Sequence, residues 1–331
     1  MKIKQTIGID ISKLTFDVII HSNQMYTVLD NKPGGFKKMI KWVNKNNAFA
    51  EDETLYIFEH TGLYSHQLAV FLTGLNIPFV LVPGLEVKRS LGISRGKDDK
   101  IDAKKLARYA YEKRETIQVY DMPSKQIGSL KRLLALRVRL VKQRAGYKVS
   151  LNEQKRVLSK KENMVLFDSQ EKTIKYLGKQ IKGIEKEMDD IVNGSDPLKR
   201  IYGLITSIKS VGPQTALFIL VYTNAFTKFS SWRKFASYVG TAPFPNSSGT
   251  SIRGRTKVSN LAYKKIKSLL DQCAKSAIQH NLEMKVYYKK RTGEGKNEMS
   301  TINVVRNKIL ARIFAVVNRG TPYVDTMKYA A

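Results

Sequence analysis

Apolar residues in the first third of the chain fall in short β-branched and aromatic blocks separated by turn-forming residues. Thr6-Ile7-Gly8-Ile9-Asp10 and Thr15-Phe16-Asp17-Val18-Ile19-Ile20 read as two strands, and Ile11-Ser12-Lys13 between them as a tight turn, which predicts a β-hairpin over residues 4–20. Behind Gly34-Gly35, the spacing of Phe36, Met39, Ile40 and Val43 predicts a helix. A short buried strand is predicted over 54–58, closed by Glu59, followed by a helix over 66–75 and a strand over 78–82. Residues 100–111 read as a helix with Ile101, Leu106 and Ala110 on one side. Strand–helix alternation of this kind predicts an α/β sheet domain.

The pattern changes near residue 126. The stretch 129–191 is rich in Leu, Lys, Arg, Gln and Glu and contains no proline. Leu133, Leu140 and Tyr147 are seven apart, as are Leu151 and Leu158, so long helices are predicted, paired antiparallel or joined in an oligomeric coiled coil. Asn193-Gly194-Ser195-Asp196-Pro197 breaks that pattern. Residues 201–315 are mostly helical by periodicity, interrupted by a Gly/Pro/Ser-rich loop over 240–254, and 302–317 form a terminal helix. The expected organisation is α/β plus α, in three parts: 1–125, a helical region 126–194, and 195–331.

Charge separates these parts further. The chain carries 58 Lys+Arg against 28 Asp+Glu, a net of +30, on a composition that is 42% hydrophobic. Residues 1–120 account for +5 and residues 121–331 for +25. From Pro197 to Leu270 there is no Asp or Glu, while twelve Lys and Arg are present, Lys209, Arg253, Arg255, Lys257, Lys264 and Lys265 among them. A folded chain so basic is expected to bind a polyanion, with nucleic acid the default. No run of about 18 apolar residues is present, which argues against a transmembrane helix. Cys273 is the single cysteine and the four His are scattered, which excludes an intramolecular disulfide and a Cys-based zinc cluster. The expectation is a cytoplasmic protein with no membrane partner.

Acidic residues stand at informative places in the first part. Asp10 ends one strand, Glu59 ends another, and Asp98, Asp99 and Asp102 open a helix. Positions 99 and 102 share a helix face. Carboxylates at the ends of neighbouring strands and one helix are suited to Mg²⁺ or Mn²⁺, and a pair of such ions promotes phosphodiester chemistry. Asp99 and Asp102 are equally consistent with helix N-terminal acids favoured by the dipole, and Asp10 with a turn cap. A Gly-x-Asp strand–hairpin opening occurs in ribonuclease-H-like folds and in actin-like ATPases; the charge favours the former.

In the basic part, Ile208-Lys209-Ser210-Val211-Gly212-Pro213 has the form of a hairpin between two helices. Gly212 is expected to permit a tight turn and the next helix to offer amides to a phosphate. The alternative is an ordinary helical corner. Ser247-Ser248-Gly249-Thr250, followed by Arg253, Arg255 and Lys257, is either a phosphate-contacting loop or a nucleophilic serine among cations. A serine nucleophile needs a base or metal to take its proton, and the acid-free segment holds no carboxylate. The expectation is a composite site that draws its acids from the first part of the same chain or of a second protomer.

These motifs are similar to those of a known group. The chain resembles the transposases of the IS110/IS1111 insertion-sequence group in Ile7-Gly8-Ile9-Asp10, Glu59-His60-Thr61-Gly62-Leu63-Tyr64 and Asp98-Asp99-Lys100-Ile101-Asp102-Ala103. The resemblance continues in Tyr238-Val239-Gly240-Thr241-Ala242-Pro243 and Ser247-Ser248-Gly249-Thr250. It implies a ribonuclease-H-like (RuvC-like) DEDD domain, a coiled-coil connection and a C-terminal transposase domain with a catalytic serine. It also implies a Mg²⁺ site of Asp10, Glu59, Asp99 and Asp102, and a nucleophile at Ser248, with Ser247 as its rival. DNA, an element-encoded bridge RNA and further copies of the chain are the implied partners. Where the group carries Thr, this chain has Asp98, and a glycine usual within 258–263 is absent. The competing functions are a metal-dependent structure-specific nuclease that uses water, and a non-catalytic nucleic-acid-binding protein.

Overall fold

The structure of the chain, a computed structural model, describes residues 2–90, 98–249 and 252–325; the side chains of Ser248, Ile252, Arg253 and Arg255 fall outside that description. The chain divides into two compact units, Met1–Met122 and Pro123–Ala331.

In the first unit, β1 (Gln5–Ile11), β2 (Thr15–Ile20), β3 (Tyr26–Asp30), β4 (Thr54–Glu59) and β5 (Phe79–Val82) form one sheet in the order β3-β2-β1-β4-β5. The first three strands run antiparallel, whereas β4 and β5 continue the sheet in parallel with β1. The central strands are apolar at consecutive positions because both sheet faces are covered. Ile7, Ile9 and Ile11 belong to a core with Phe36, Met39 and Val43 of α1 (Pro33–Asn46) and Leu68 and Leu72 of α2 (Leu63–Gly74). Side chains alternate along a strand, so Thr6, Gly8 and Asp10 address the opposite face. There, after the short helix α3 (Gly84–Ser90), α4 (Asp99–Lys113) lies against β1, and Leu106 and Ala110 share a core with Leu55, Ile57, Val80 and Val82.

Gly8 sets how closely α4 approaches. A Cβ there would stand 2.0 Å from the Ala103 carbonyl oxygen and 2.6 Å from the Ala107 nitrogen. The Thr6 hydroxyl donates to the Ala107 carbonyl at 2.8 Å, fixing the helix from the next inward-facing position.

The second unit opens with two long helices, α5 (Lys125–Val157) and α6 (Met164–Asn193). They run antiparallel: Gln154 meets Gln170 at 2.6 Å, Lys155 meets Glu171 at 2.6 Å and Arg137 meets Glu185 at 2.6 Å. Leu151, Phe167, Leu177 and Ile181 are buried along them. Ile127, Leu130, Leu134, Met188 and Val192 join the core formed with the helices that follow. The segments expected as 126–194 and 195–331 therefore lie in one compact unit.

Those following helices are α7 (Asp196–Thr206), α8 (Pro213–Tyr222), α9 (Trp232–Val239), α10 (Lys264–His280), α11 (Leu282–Gly293) and α12 (Glu298–Arg319). From Thr215 to Val221 every residue of α8 is buried, as expected of a helix apolar on all sides.

The segment 240–254 departs from expectation. Instead of a loop it contributes to a β-ribbon of β6 (Pro243–Ser248) and β7 (Ile252–Val258). Proline is tolerated at the first residue of a strand and at a bulge. Pro243 opens β6, and the register shifts between Phe244 and Asn246, around Pro245. The prolines that signalled a loop thus occupy the two strand positions open to them. Among the described residues, no helix is long and apolar enough to cross a membrane.

Candidate functional site

Asp10 and Glu59 reach adjacent strand ends because β1 and β4 pair in parallel, with Ile9 opposite Phe58 immediately before them. The close approach of α4 over Gly8 brings the helix N-terminus toward those ends. The Asp98 side chain accepts the Lys100 amide at 3.1 Å and so caps the helix, while Asp99 and Asp102 lie in its first turn. Asp102 also pairs with Lys105 at 2.7 Å.

These carboxylates act on one another. Burial pushes the Asp10 carboxyl up to about 6, with Asp99, Asp102, Glu59 and Asp17 adding repulsion in that order. Burial also raises Glu59, with further repulsion from Asp102. Accumulated negative charge with little cationic compensation is costly to hold, and it suits a site that takes up a cation. All four side chains expected to bind metal offer hard oxygen donors, the donor type Mg²⁺ and Mn²⁺ prefer. The residues thus fit such an ion chemically. Among the described residues, however, no three His, Cys, Asp or Glu side chains are gathered closely enough to hold one. The acids share an electrostatic field without forming a closed cage.

Two neighbours were not anticipated. Asp17 pairs with Asp10 across the β1–β2 ladder, is buried, and accepts a hydrogen bond from the Tyr26 hydroxyl. Burial raises its carboxyl above the ordinary range, and the Tyr26 bond works in the opposite direction. The phenol is pushed up to about 12, first by that hydrogen bond and then by burial. The available signal was an acid inside an otherwise apolar strand. Gly84, directly after β5 and Pro83, packs on Glu59: a Cβ there would fall 2.4 Å from Glu59 Oε2. No local motif marked it.

In the second unit, Lys209 is exposed in the link between α7 and α8, and Gly212 is the residue before α8. Gly212 has φ −76° and ψ 166°, an extended conformation open to any residue. The expected tight turn through glycine is therefore not formed at this position. Lys264 and Lys265 open α10, both exposed, and Lys257 is exposed on β7. Ser248 ends β6 opposite Ile252, and Ser247 pairs with Arg253. The side chains of Ser248, Arg253 and Arg255, with Thr250 and Ser251, lie outside the described residues. Gly249 has φ 54° at the ribbon's turn.

An α/β unit with acids at its strand ends is followed by a basic, mostly helical unit. A transposase model of the IS110 DEDD type matches residues 7–157, and a model of the IS116/IS110/IS902 transposase family matches residues 202–289. The pilin gene-inverting protein of Moraxella bovis is 26% identical over 97% of this chain and 98% of its own length. Its counterpart from Moraxella lacunata gives the same values, 26%, 97% and 98%. An uncharacterized 43.6 kDa protein of insertion element IS110 from Streptomyces coelicolor is 26% identical over 45% of this chain and 35% of its own length. The chain belongs to the IS110 family of transposases, a family of DNA-processing enzymes.

Proposed function

We propose that this transposase excises and inserts a mobile DNA element through a serine–DNA intermediate, on a ribonuclease-H-like first unit. The observation that carries the reading is the set of mutually repelling acids on β1, β4 and α4 in a chain of this family. The sheet order, three antiparallel strands followed by two parallel ones, supports the fold assignment.

In this reading Asp10, Glu59, Asp99 and Asp102 hold a divalent metal ion. Bound there, such an ion would supply positive charge to offset that of a phosphodiester under attack. Ser248 Oγ gives its proton to solvent water and forms a bond to phosphorus, with Ser247 as the alternative nucleophile. The bond between phosphorus and the departing strand's oxygen breaks, and that oxygen takes up a proton. Strand joining reverses the exchange. Lys209, Gly212, Arg253, Arg255, Lys257, Lys264 and Lys265 belong to the surface that holds the sugar–phosphate backbone. An element-encoded RNA supplies sequence selection by base pairing, leaving the protein to grip backbone and shape. The net charge of +30 suits two polyanions bound together.

Recombination requires several cleavages and therefore more than one copy of the chain. Val157 and Val165 flank the link between α5 and α6 with 83% and 85% of their surface exposed, alongside exposed Val149 and Met164. Apolar exposure grouped at the end of a helical pair supports association there.

The deciding experiment is trapping on nicked suicide DNA, with and without RNA, using the native chain, Ser248→Ala and Asp10→Asn. A DNA adduct mapped to Ser248, lost in both variants, is the expected result. Cleavage without an adduct, unaffected by Ser248→Ala and abolished by Asp10→Asn, would establish a water-using nuclease instead.

A further inference from the structure

A cavity of about 280 Å³ opens at the start of α10, at the foot of the β6–β7 ribbon. Lys264, Lys267 and Ser268 line it from one face of α10, Arg306 from α12, and Ser259 and Asn260 from the link after β7. Among the described residues, the N-cap position of α10, Tyr263, makes no side-chain cap, and the first turn holds no acid. The first-turn amides and the positive end of the helix dipole thus lie at the same end of α10 as Lys264 and Lys267.

Arg306 supplies an independent indication of a ligand. Only 6% of its surface is exposed. One terminal nitrogen donates to Asn303 at 3.2 Å and another pairs with Asp271, but among the described residues its buried Nε–H has no acceptor. A buried donor without a partner carries a desolvation cost, which an oxygen admitted by a small opening of the cavity would remove. Asp271 offsets one positive charge and is itself shared with Lys275 at 3.0 Å. Three cations and one carboxylate leave the lining positive. Burial, followed by repulsion from Arg306 and Lys264, pulls the Lys267 ammonium below its ordinary value, so Asp271 compensates the cluster only in part.

We propose that this cavity is a binding site for one backbone phosphate of the DNA strand being processed. This rests on the reading of the chain as a serine recombinase. DNA is favoured as the source because the cavity adjoins the ribbon that ends in Ser247 and Ser248. The seven residues of β7 span roughly 20 Å at about 3.3 Å each. Phosphates advance about 3.4 Å per nucleotide along a duplex, so the anchored phosphate lies within about six nucleotides of the reacting one. Holding it would fix the strand's register on the serine ribbon without reading a base.

The test uses the full chain and an uncleaved DNA duplex carrying a neutral methylphosphonate at successive positions. Native protein and the double variant Lys264→Gln/Lys267→Gln are compared. One position near the cleavage point should weaken native binding about tenfold and leave the double variant unaffected. The salt slope of the variant should fall by about 1 to 2. Lys267→Gln alone should leave the melting temperature unchanged or raised, since it relieves like-charge crowding. The proposal is overturned if both proteins lose affinity equally at every position, or if coupling appears only when the methylphosphonate is placed in RNA. A lowered melting temperature with an unchanged salt slope overturns it too, by making Lys267 a structural residue. Failure of the recombinase reading is distinguishable: no adduct would form at Ser248, while the coupling, measured on uncleaved DNA, would persist.

Discussion

At Gly8 one missing side chain determines where the candidate metal-binding acids lie. The position is closed by backbone, which cannot rotate away as a side chain can. Gly8→Ala must therefore lift α4 from β1, at a cost on the order of 3 kcal/mol. Urea unfolding should show that loss, and DNA cleavage should fall with it, because Asp99 and Asp102 move with the helix. A variant as stable as the native chain would mean that α4 accommodates the methyl by a small slide.

Asp10 poses the opposite case, a residue whose removal stabilises. Its ordinary value is 3.8 and the folded value is about 6, so the folded chain holds the proton more tightly. The linked stability is fully present below about 4 and is lost as the pH rises through 6. Without divalent metal, Asp10→Asn should melt above the native chain at pH 8 and level with it near pH 4. Added Mg²⁺ at pH 8 should raise the native melting temperature more than that of the variant. A native chain equally stable at both pH values, with no gain from Mg²⁺, would refute the coupling.

At the scale of elements, the first unit is largely legible in its sequence and the acids in part. The strands β1, β2, β4 and β5 and the helices α1, α2 and α4 leave local signals, since both sheet faces demand apolar blocks bounded by turns. β3 leaves little signal because it is a half-exposed edge. Asp17 leaves only the signal of an acid in an apolar strand and Gly84 leaves none, since their importance comes from pairing with Asp10 and packing on Glu59. In the basic unit the β6–β7 ribbon is masked by prolines that fit only through the strand start and the bulge. The antiparallel pairing of α5 with α6 was anticipated as one of two arrangements. The apolar end of that pair invites a direct test. Val157→Lys with Val165→Lys should leave the melting temperature within a degree or two, because both side chains are already exposed. Sedimentation should shift toward the monomer. An unchanged mass would rule out association at that end.

Across the whole molecule, the uneven charge makes a claim about where nucleic acid is held. Each phosphate neutralised by a cation contributes about 0.9 to the slope of log affinity against log salt. The second unit contains the acid-free segment with twelve cations, whereas the first is close to neutral. Exposed lysines in the two units should therefore differ in effect. Lys37 and Lys38 are exposed on α1, as Lys257 and Lys265 are on β7 and α10. Replacing Lys257 and Lys265 by Gln should lower the slope by about 1 to 2 and weaken DNA binding similarly for all sequences. Replacing Lys37 and Lys38 removes the same charge from the chain and should leave the slope unchanged. This comparison separates a phosphate-binding surface from the general attraction of a basic protein. Net charge alone would make the two pairs equivalent, so equal losses would show that the division of charge between the units has no bearing on where DNA is held.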